Sequence, residues 1–436
     1  MRTNNRIAWL LWIGMVWPSL LTAQSFSGRI FTSFFTYERS DTVGQSSQQA
    51  RGYQGFQLDF RNRHLLFRAF GQLDHDFASP LTDDPRIRMY NFYLQWQTFA
   101  RRAELKLGRQ PVFSGVAVGT IDGAQFTVRF GRLIRIKAFA GTLMPASQQM
   151  KIISDAKSNY LAGGQIRIRP VSNLYFSLSY FTKQQTRPGY NTLRADSIGN
   201  VFTQFIQPTT RAFQMAAFDG TWQIRTGTSL YSRMDFDIYG QRITRGEVAL
   251  QTRTSDRLSL NAAYTYRSPR LPWNSIFSVF NTEKNHEIEA GFYYQVHPQF
   301  QLQGNGALIL YTDDRSLRLS VGANTAWGSF NYVHRSGYAG ELDGLNAYFY
   351  RALWRNRLLP NVQLSWASYR LDRNAKRTPL LSAALGLLYR PAHPWSLDSQ
   401  LQILRNKFYD LDTRLLLRFQ YWFFNSLSAK SAENEL

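Results

Sequence analysis

Residues 411–424 read LDTRLLLRFQYWFF, and the polarity of this stretch alternates with a period of two residues. One set of alternate positions carries Leu415, Leu417 and Phe419, and the other carries Arg414 and Arg418. Successive side chains of a β-strand point to opposite sides, and roughly 9–11 tilted residues cross a bilayer. The stretch therefore predicts a strand with one face for hydrocarbon and one for water.

The same alternation recurs along nearly the whole chain, for example in 174–180, 258–267 and 317–325. Arginines on one face of a membrane strand require a polar lumen, and the backbone requires strand partners on both sides. A soluble β-sandwich also alternates. The placement of tryptophans helps to decide between the two folds. Several lie close to a predicted short turn or to the end of the final strand, as an aromatic girdle requires: Trp96, Trp222, Trp327, Trp354, Trp395 and Trp422. The sequence predicts an all-β protein, a transmembrane antiparallel β-barrel in a bacterial outer membrane.

Turn signals set the expected size of this barrel. Ten short polar breaks alternate with eleven longer or outward connections, which predicts about 22 strands. If two or three of the less distinct hairpins are merged, the count falls to 18 or 20 strands. The expectation of an even number is therefore firmer than the number itself. Strand-like sequence begins near Phe26, which leaves no room for an N-terminal plug domain.

The two ends of the chain differ from the barrel region at 24–424. Arg2 and Arg6 precede an apolar stretch at 7–17, and a cleavage motif ends before Gln24, so residues 1–23 are predicted to be a cleaved signal peptide. Residues 425–436 form a short polar tail. After residue 23 no run of about 20 apolar residues occurs, which excludes spanning helices from the mature chain. Cysteine is absent, which removes disulfides, thiolate metal sites and cysteine nucleophiles.

The chain carries a formal net charge of +22, which in a soluble protein would suggest a nucleic-acid partner. Here the cations instead occupy alternate positions inside predicted strands. They are predicted to line the pore and to favour anions. For any single one of these cations, the alternative role is to brace the barrel wall through an ion pair with a carboxylate. The predicted pore-lining residues are Arg129, Arg135, Lys137, Arg167, Arg169, Arg233, Arg245, Arg253, Arg318, Arg414 and Arg418.

A second motif, LKLGRQPVF, occupies 105–113 and is followed by Gly115, Gly119 and Asp122-Gly123. Through Leu107-Gly108-Arg109-Gln110 and Asp122-Gly123, the sequence resembles outer-membrane porins of the alginate-export and substrate-specific type. That resemblance implies an 18-stranded barrel with inward-folded loops and an arginine-rich passage for anionic or small polar solutes. The glycine-rich loop 110–122, with Gly115, Gly119 and Asp122, is the predicted constriction, and the long loop 184–208 is a second candidate.

The leading functional prediction is passive diffusion of small polar, anionic solutes through an arginine-biased lumen. The alternative is a barrel that anchors or exports a surface polymer with partner proteins. An enzyme is disfavoured because the six histidines lack metal-ligand spacing and no G-x-S-x-G motif occurs. The expected partners are outer-membrane lipid and lipopolysaccharide, small solutes and the barrel-assembly machinery, with no nucleic acid, cofactor or metal. Nothing in the sequence selects a monomer or a trimer.

Overall fold

The structure is a computed structural model, and it describes most of the predicted barrel region. The predicted signal peptide at 1–23 and most of the predicted polar tail lie outside the described residues, so both stay predictions. The described residues are 25–42, 45–78, 80, 83–98, 102–150, 156–186, 189–195, 200–207, 212–269, 284–338, 340–372, 374–408 and 411–426.

Twenty-two strands form the wall. In chain order they are β1 (Ser25–Thr42), β2 (Gln45–Arg61), β3 (Leu65–Asp76), β4 (Arg86–Gln97), β5 (Ala103–Ser114), β6 (Ala117–Phe130), β7 (Ile134–Leu143), β8 (Asn159–Val171), β9 (Leu174–Gln185), β12 (Phe213–Arg225), β13 (Thr228–Asp237), β14 (Arg242–Arg253), β15 (Leu258–Arg267), β16 (Asn285–His297), β17 (Phe300–Leu310), β18 (Arg315–Thr325), β19 (Gly328–Gly337), β20 (Glu341–Tyr350), β21 (Leu358–Arg370), β22 (Thr378–Tyr389), β23 (Trp395–Arg405) and β24 (Asp412–Ser426). Two short strands, β10 (Tyr190–Ala195) and β11 (Val201–Ile206), form a separate hairpin.

The sheet closes on itself. Each wall strand pairs antiparallel with the next, β9 pairs with β12, and β1 pairs with β24 from Ser25↔Ser426 to Phe35↔Leu416. Closure leaves no edge strand, so the backbone groups of a spanning segment are satisfied within the sheet. The prediction of an antiparallel barrel with about 22 strands is confirmed, whereas the 18 strands implied by the porin resemblance are wrong for this chain.

The two faces of the wall differ as the alternation predicts. On β18, Leu317, Leu319 and Val321 stand exposed on one face, while Arg318 and Ser320 occupy the other. Because large apolar side chains are exposed on the first face in strand after strand, that face is the outer, lipid-facing surface, and the polar face lines the lumen. Among the described residues, no helix is long and apolar enough to cross a membrane.

Connections at one rim are short, and several at the other rim are long. The β10–β11 hairpin belongs to the long-loop rim and is hydrogen-bonded as a separate sheet. Its side chains Leu193, Val201 and Phe205 are exposed. The second predicted constriction, loop 184–208, thus contains a hairpin whose apolar side chains stand free of the wall.

Candidate functional site

The hairpin at 109–122, which joins β5 to β6, leaves the wall and lies inside the barrel. The ladder between β4 and β5 ends at Phe92↔Arg109, and the ladder between β6 and β7 ends at Ile121↔Leu143. Between these points β5 and β6 pair only with each other, down to Ser114↔Ala117. We call residues 109–122 the infolded hairpin.

Two glycines lie opposite each other where this hairpin turns inward. Gly108 pairs with Gly123 and has a φ of +117°, a conformation that L side chains rarely adopt. A Cβ atom at Gly108 would lie 2.3 Å from the carbonyl oxygen of Phe92, and one at Gly123 would lie 2.2 Å from that of Ala140. The backbones therefore approach too closely here for a residue with a side chain.

An apolar contact holds the infolded hairpin against the inner wall. Val112, Ala117 and Ile121 are fully buried. They pack in one cluster with lumen-facing residues of four wall strands, namely Phe139, Leu143, Leu161, Phe181 and Met215. Apolar side chains on the lumen face would otherwise meet water, so this patch of wall is built to receive the hairpin.

Polar contacts fix the tip of the hairpin. The backbone N–H of Val116 donates to Ser179 Oγ at 3.1 Å, and Lys137 Nζ donates to the carbonyl oxygen of Phe113 at 3.0 Å. Ser114 Oγ lies 3.5 Å from Gln165 Oε1. These partners belong to β7, β8 and β9, so the tip reaches across three strands of the wall.

The opposite face of the infolded hairpin points away from the wall and into the lumen. Phe113 is 67% exposed and Val118 is 64% exposed, in contrast to the buried Val112 and Ala117 beside them. The face of the hairpin turned to the lumen is therefore apolar at these two positions.

A buried ion pair closes the base of the hairpin. Arg109 Nε and Nη2 donate to the two carboxylate oxygens of Asp122, each at 2.7 Å. Arg109 Nη1 donates to the carbonyl oxygens of Met89, Gln148 and Gln149 at 2.9–3.2 Å. Arg109 is only 4% exposed, so its charge is satisfied almost entirely by protein groups.

The three predicted constriction residues all lie in the infolded hairpin. Gly115 forms its tip with a φ of +59°, and a Cβ there would lie 2.1 Å from Ser179 Oγ. A Cβ at Gly119 would lie 3.0 Å from Leu161 Cδ2. Asp122 accepts the two hydrogen bonds from Arg109 at the base.

Below the hairpin tip, toward the short-turn rim, three predicted pore-lining arginines stand side by side. Arg129 lies opposite Arg135 across β6 and β7, and Arg135 lies opposite Arg167 across β7 and β8. We call these three residues the arginine row. Lys137 lies two residues after Arg135 on the same face of β7, and it contacts the hairpin through the carbonyl oxygen of Phe113.

Carboxylates near the arginine row are scarce. Glu104 lies 3.6 Å from Arg129 and 3.5 Å from Lys106, and it is the nearby carboxylate in ion-pair contact with the group. Among the residues that the structure describes, Arg135, Arg167 and Lys137 have no carboxylate within 4 Å, and Arg135 Nε is buried without a hydrogen bond. Arg167 lies over the ring of Tyr175 at 5.6 Å. Among the described residues, this part of the lumen wall thus carries more positive than negative charge.

Several of the other predicted pore-lining cations make ion pairs on the wall. Arg233 lies 2.8 Å from Asp235, Arg245 pairs with Glu247, and Arg414 lies 2.6 Å from Asp412. These ion pairs fit the bracing role that the sequence analysis gave as the alternative to a role in anion selectivity. Arg318 likewise donates to Glu287 and Glu289, at 2.6 and 2.8 Å.

The remaining three predicted pore-lining residues, Arg169, Arg253 and Arg418, have other surroundings. Arg169 donates to the carbonyl oxygen of Ser172 in a short turn, and Arg418 donates to Ser33 Oγ at 3.3 Å. Arg253 stands exposed at the short-turn end of β14, opposite Ser259 on the lumen face.

A second charged cluster lies on the outer surface at the long-loop rim. Asp343 accepts a hydrogen bond from His334 at 2.7 Å and another from Arg377, while Arg370 pairs with Glu341 at 2.6 Å. Hydrogen bonds to these carboxylates raise the pKa of Arg377, which precedes β22. Sequence reasoning missed this cluster because its members come from three strands and a loop.

Sequence reasoning also missed the receiving patch on the inner wall. Phe139, Leu161, Phe181 and Met215 are apolar residues at lumen-facing positions, so they break the alternation of their strands. Within the described chain, no group of three or more histidine and acidic residues is arranged to hold a metal ion.

Superposition on a solved structure supports the fold. A point mutant of the ferric enterobactin receptor PfeA from Pseudomonas aeruginosa superposes with a TM-score of 0.58 at 10% identity, covering 91% of this chain and 80% of that one. Pseudomonas aeruginosa OpdQ covers 92% of this chain and 98% of its own, with a TM-score of 0.45 and 11% identity. The superposition on PfeA supports the β-barrel fold. Localisation to the outer membrane follows from the closed barrel with its apolar outer face.

One family model matches part of the sequence. It is described as "LptD: LPS transport system D" and matches residues 179–300, which run from β9 into β17. The match covers less than half of the chain and leaves out the infolded hairpin. No curated protein matches the chain.

Proposed function

We propose that the protein is a passive outer-membrane channel for small anionic solutes, narrowed by the infolded hairpin. One observation carries the proposal: a hairpin packed on the inner wall lies next to a group of cations with little acidic compensation. Fixed charge in a pore raises the local concentration of the oppositely charged ion, most strongly where the pore is narrow.

The charge balance of the site supports anion preference. Lys106, Lys137 and the arginine row contribute five positive charges on the lumen face of β5–β8, and Glu104 contributes one negative charge. At physiological salt, exposed charges act over about 8 Å. A solute must therefore pass close to the cations to feel them, and the hairpin takes up space at that level of the lumen.

The lumen site favours transport over catalysis. Its charged groups are mainly arginines, which stay protonated at any physiological pH and do not serve as general acids or bases. We infer that the cations bind or attract solute without reacting with it.

Planar-bilayer recording of the purified protein tests the proposal. The wild type should give discrete conductance steps, and the reversal potential in a salt gradient should show anion preference. In a matched variant, residues 112–119 are replaced by Asn-Gly, which closes the shortened hairpin with a two-residue turn. Its conductance should rise about twofold or more. A folded wild-type barrel without conductance steps contradicts the channel, and a preference for cations contradicts the selectivity.

A second candidate function is export of a surface polymer or glycolipid with partner proteins. The partial match to the LPS transport family is the observation that favours it. Co-purification of periplasmic partners with a barrel that shows no free conductance would support export over passive diffusion.

A further inference from the structure

The turn that joins β20 to β21 at the short-turn rim is strongly basic. Residues 351–357 read RALWRNR, so three arginines lie within seven positions. We call this segment the basic turn. Its Trp354 is 71% exposed. Short turns of outer-membrane barrels lie on the periplasmic side, so the basic turn is at the level of the periplasmic headgroups.

The neighbouring wall offers the basic turn no negative charge. Strands β19–β22 contain two carboxylates, Glu341 and Asp343, and both lie at the long-loop end of β20. There they pair with Arg370 and Arg377, so the charges at that rim compensate each other. Among the residues that the structure describes, the arginines of the basic turn make no ion pair with a carboxylate.

Arg351 lies on the outer face of the barrel. The strand register carries the outer face from Val321 across β19 to Phe349, and Phe349 lies opposite Val362. Arg351 follows Phe349 by two residues, and its backbone N–H continues the pairing by donating to the carbonyl oxygen of Pro360 at 3.2 Å. A cation at the edge of the lipid-facing surface extends its charged end toward the headgroups.

A groove of about 630 Å³ lies beside Arg351. Trp327, Phe349, Pro360 and Val362 line it with apolar surface, and Arg351 lines it as well. Its volume falls within the range of ligand pockets, roughly 300–1,000 Å³. Because Phe349 and Val362 belong to the outer face, the groove borders the membrane. A lipid reaches it directly, whereas a water-soluble protein does not.

The backbone of the basic turn holds bulky residues in a conformation that L side chains rarely adopt. Trp354, Arg355 and Asn356 have φ values of +47°, +55° and +67°. Two other short turns place glycine at positive φ, at Gly131 and Gly227. Strained backbone of this kind clusters at ligand-binding positions. The indole and the guanidinium of this turn therefore have a use beyond turning the chain.

We propose that the basic turn and the adjacent groove form a binding site for an anionic phospholipid of the periplasmic leaflet. Arg351 and Arg355 bind the phosphodiester oxygens through paired N–H donors, and an acyl chain lies in the apolar groove. Trp354 lies at the headgroup level, which indoles favour. Basic pockets beside spanning segments bind anionic headgroups in the same way. The site is independent of the proposed channel, because it lies on the opposite face of the wall.

Titration of the detergent-purified barrel with dioleoylphosphatidylglycerol, followed by native mass spectrometry, measures the dissociation constant. The test variant Arg351→Gln/Arg355→Gln should bind this lipid at least fivefold more weakly than the wild type. The control Arg253→Gln/Arg257→Gln removes the same charge near the β14–β15 turn of the same rim, and its affinity should change less than twofold. Val362→Trp fills the groove and keeps every arginine, and it should also weaken binding at least fivefold.

Each outcome supports or overturns a stated part of the site. Unchanged affinity in the arginine variant, or an equal loss in the control, overturns the site, and unchanged affinity in Val362→Trp overturns the groove. Dioleoylphosphatidylcholine bound as tightly as the anionic lipid overturns the charge preference. The headgroup alone, glycerophosphoglycerol, bound as tightly as the lipid overturns the assignment to a lipid.

Two further readouts keep these outcomes distinct. A heat-dependent gel shift like that of the wild type shows that each variant is folded. Conductance plays no part in the titration, so a barrel that binds the lipid here without conducting refutes only the channel. A conducting barrel that binds no anionic phospholipid at this turn refutes only the lipid site.

Discussion

Arg109 and Asp122 face each other across the base of the infolded hairpin, joined by two hydrogen bonds of 2.7 Å in a setting where Arg109 is 4% exposed. The same guanidinium binds backbone carbonyls of β4 and of the segment after β7. The residues of one ion pair thus connect the hairpin to β4 and to the segment after β7. Its loss should affect both stability and the pore.

Replacing Asp122 by Asn should release the hairpin, because it leaves the charge of Arg109 buried without its partner. Breaking one side of a buried pair costs about 3–5 kcal/mol. We expect a lower thermal unfolding temperature, measured by the heat-dependent shift of the barrel in gel electrophoresis, together with larger and more variable conductance steps. Asp59→Asn is the control, because it breaks the more exposed Asp59–Arg68 pair on β2–β3. Equal effects of the two variants would contradict the anchoring role.

Replacing Gly115 by Ala should lift the hairpin tip from the wall. The added Cβ would lie 2.1 Å from Ser179 Oγ, and the φ of +59° is strained for alanine as well. Gly131→Ala separates the two costs, because Gly131 has a φ of +60° and nothing within 4 Å of the added atom. Single-channel conductance should rise in the first variant and stay at the wild-type value in the second. A similar rise in both would assign the effect to backbone strain alone.

The barrel was predictable from the sequence because the alternation of Leu317, Arg318 and Leu319 is a local property of each strand. Local turn signals gave the strand number for the same reason. The inward course of the hairpin depends on packing between Val112 and residues of four other strands, which no local pattern specifies. The motif that contains Gly108 and Asp122 indicated where in the sequence the constriction lies. Only the structure shows that the ion pair between Asp122 and Arg109 closes the base of the hairpin.

Arg318, which pairs with two carboxylates, and Arg135, which pairs with none among the described residues, should respond oppositely to removal of charge. Arg318→Gln leaves Glu287 and Glu289 without their shared donor, so the barrel should lose on the order of 1 kcal/mol, a value reduced by solvent screening. Arg135→Gln removes two like-charge contacts and should leave the stability unchanged or raised. Thermal unfolding of the two variants in the same detergent measures the difference. A loss of stability in Arg135→Gln would show that this residue braces the wall after all.

The proposed anion preference of the channel should weaken as salt is added. The screening length falls from about 10 Å at 0.1 M to about 3 Å at 1 M. Reversal potentials measured in salt gradients of equal ratio but rising mean concentration should therefore move toward the value for a non-selective pore. Preference that persists undiminished at 1 M would instead indicate ions in direct contact with the cations throughout permeation.

Because the chain has no cysteine, a single engineered disulfide can fix the hairpin to the wall. Val116 and Ser179 are suitable positions, since the backbone N–H of Val116 lies 3.1 Å from Ser179 Oγ. In the Val116→Cys/Ser179→Cys variant, oxidation should remove the larger conductance steps and keep the main step, because the cross-link holds the hairpin where the structure places it. Reductant should restore the wild-type conductance steps. The conductance of each single-cysteine variant should not change with oxidant or with reductant. A fall of the main step on oxidation would mean that conduction requires the hairpin to leave the wall.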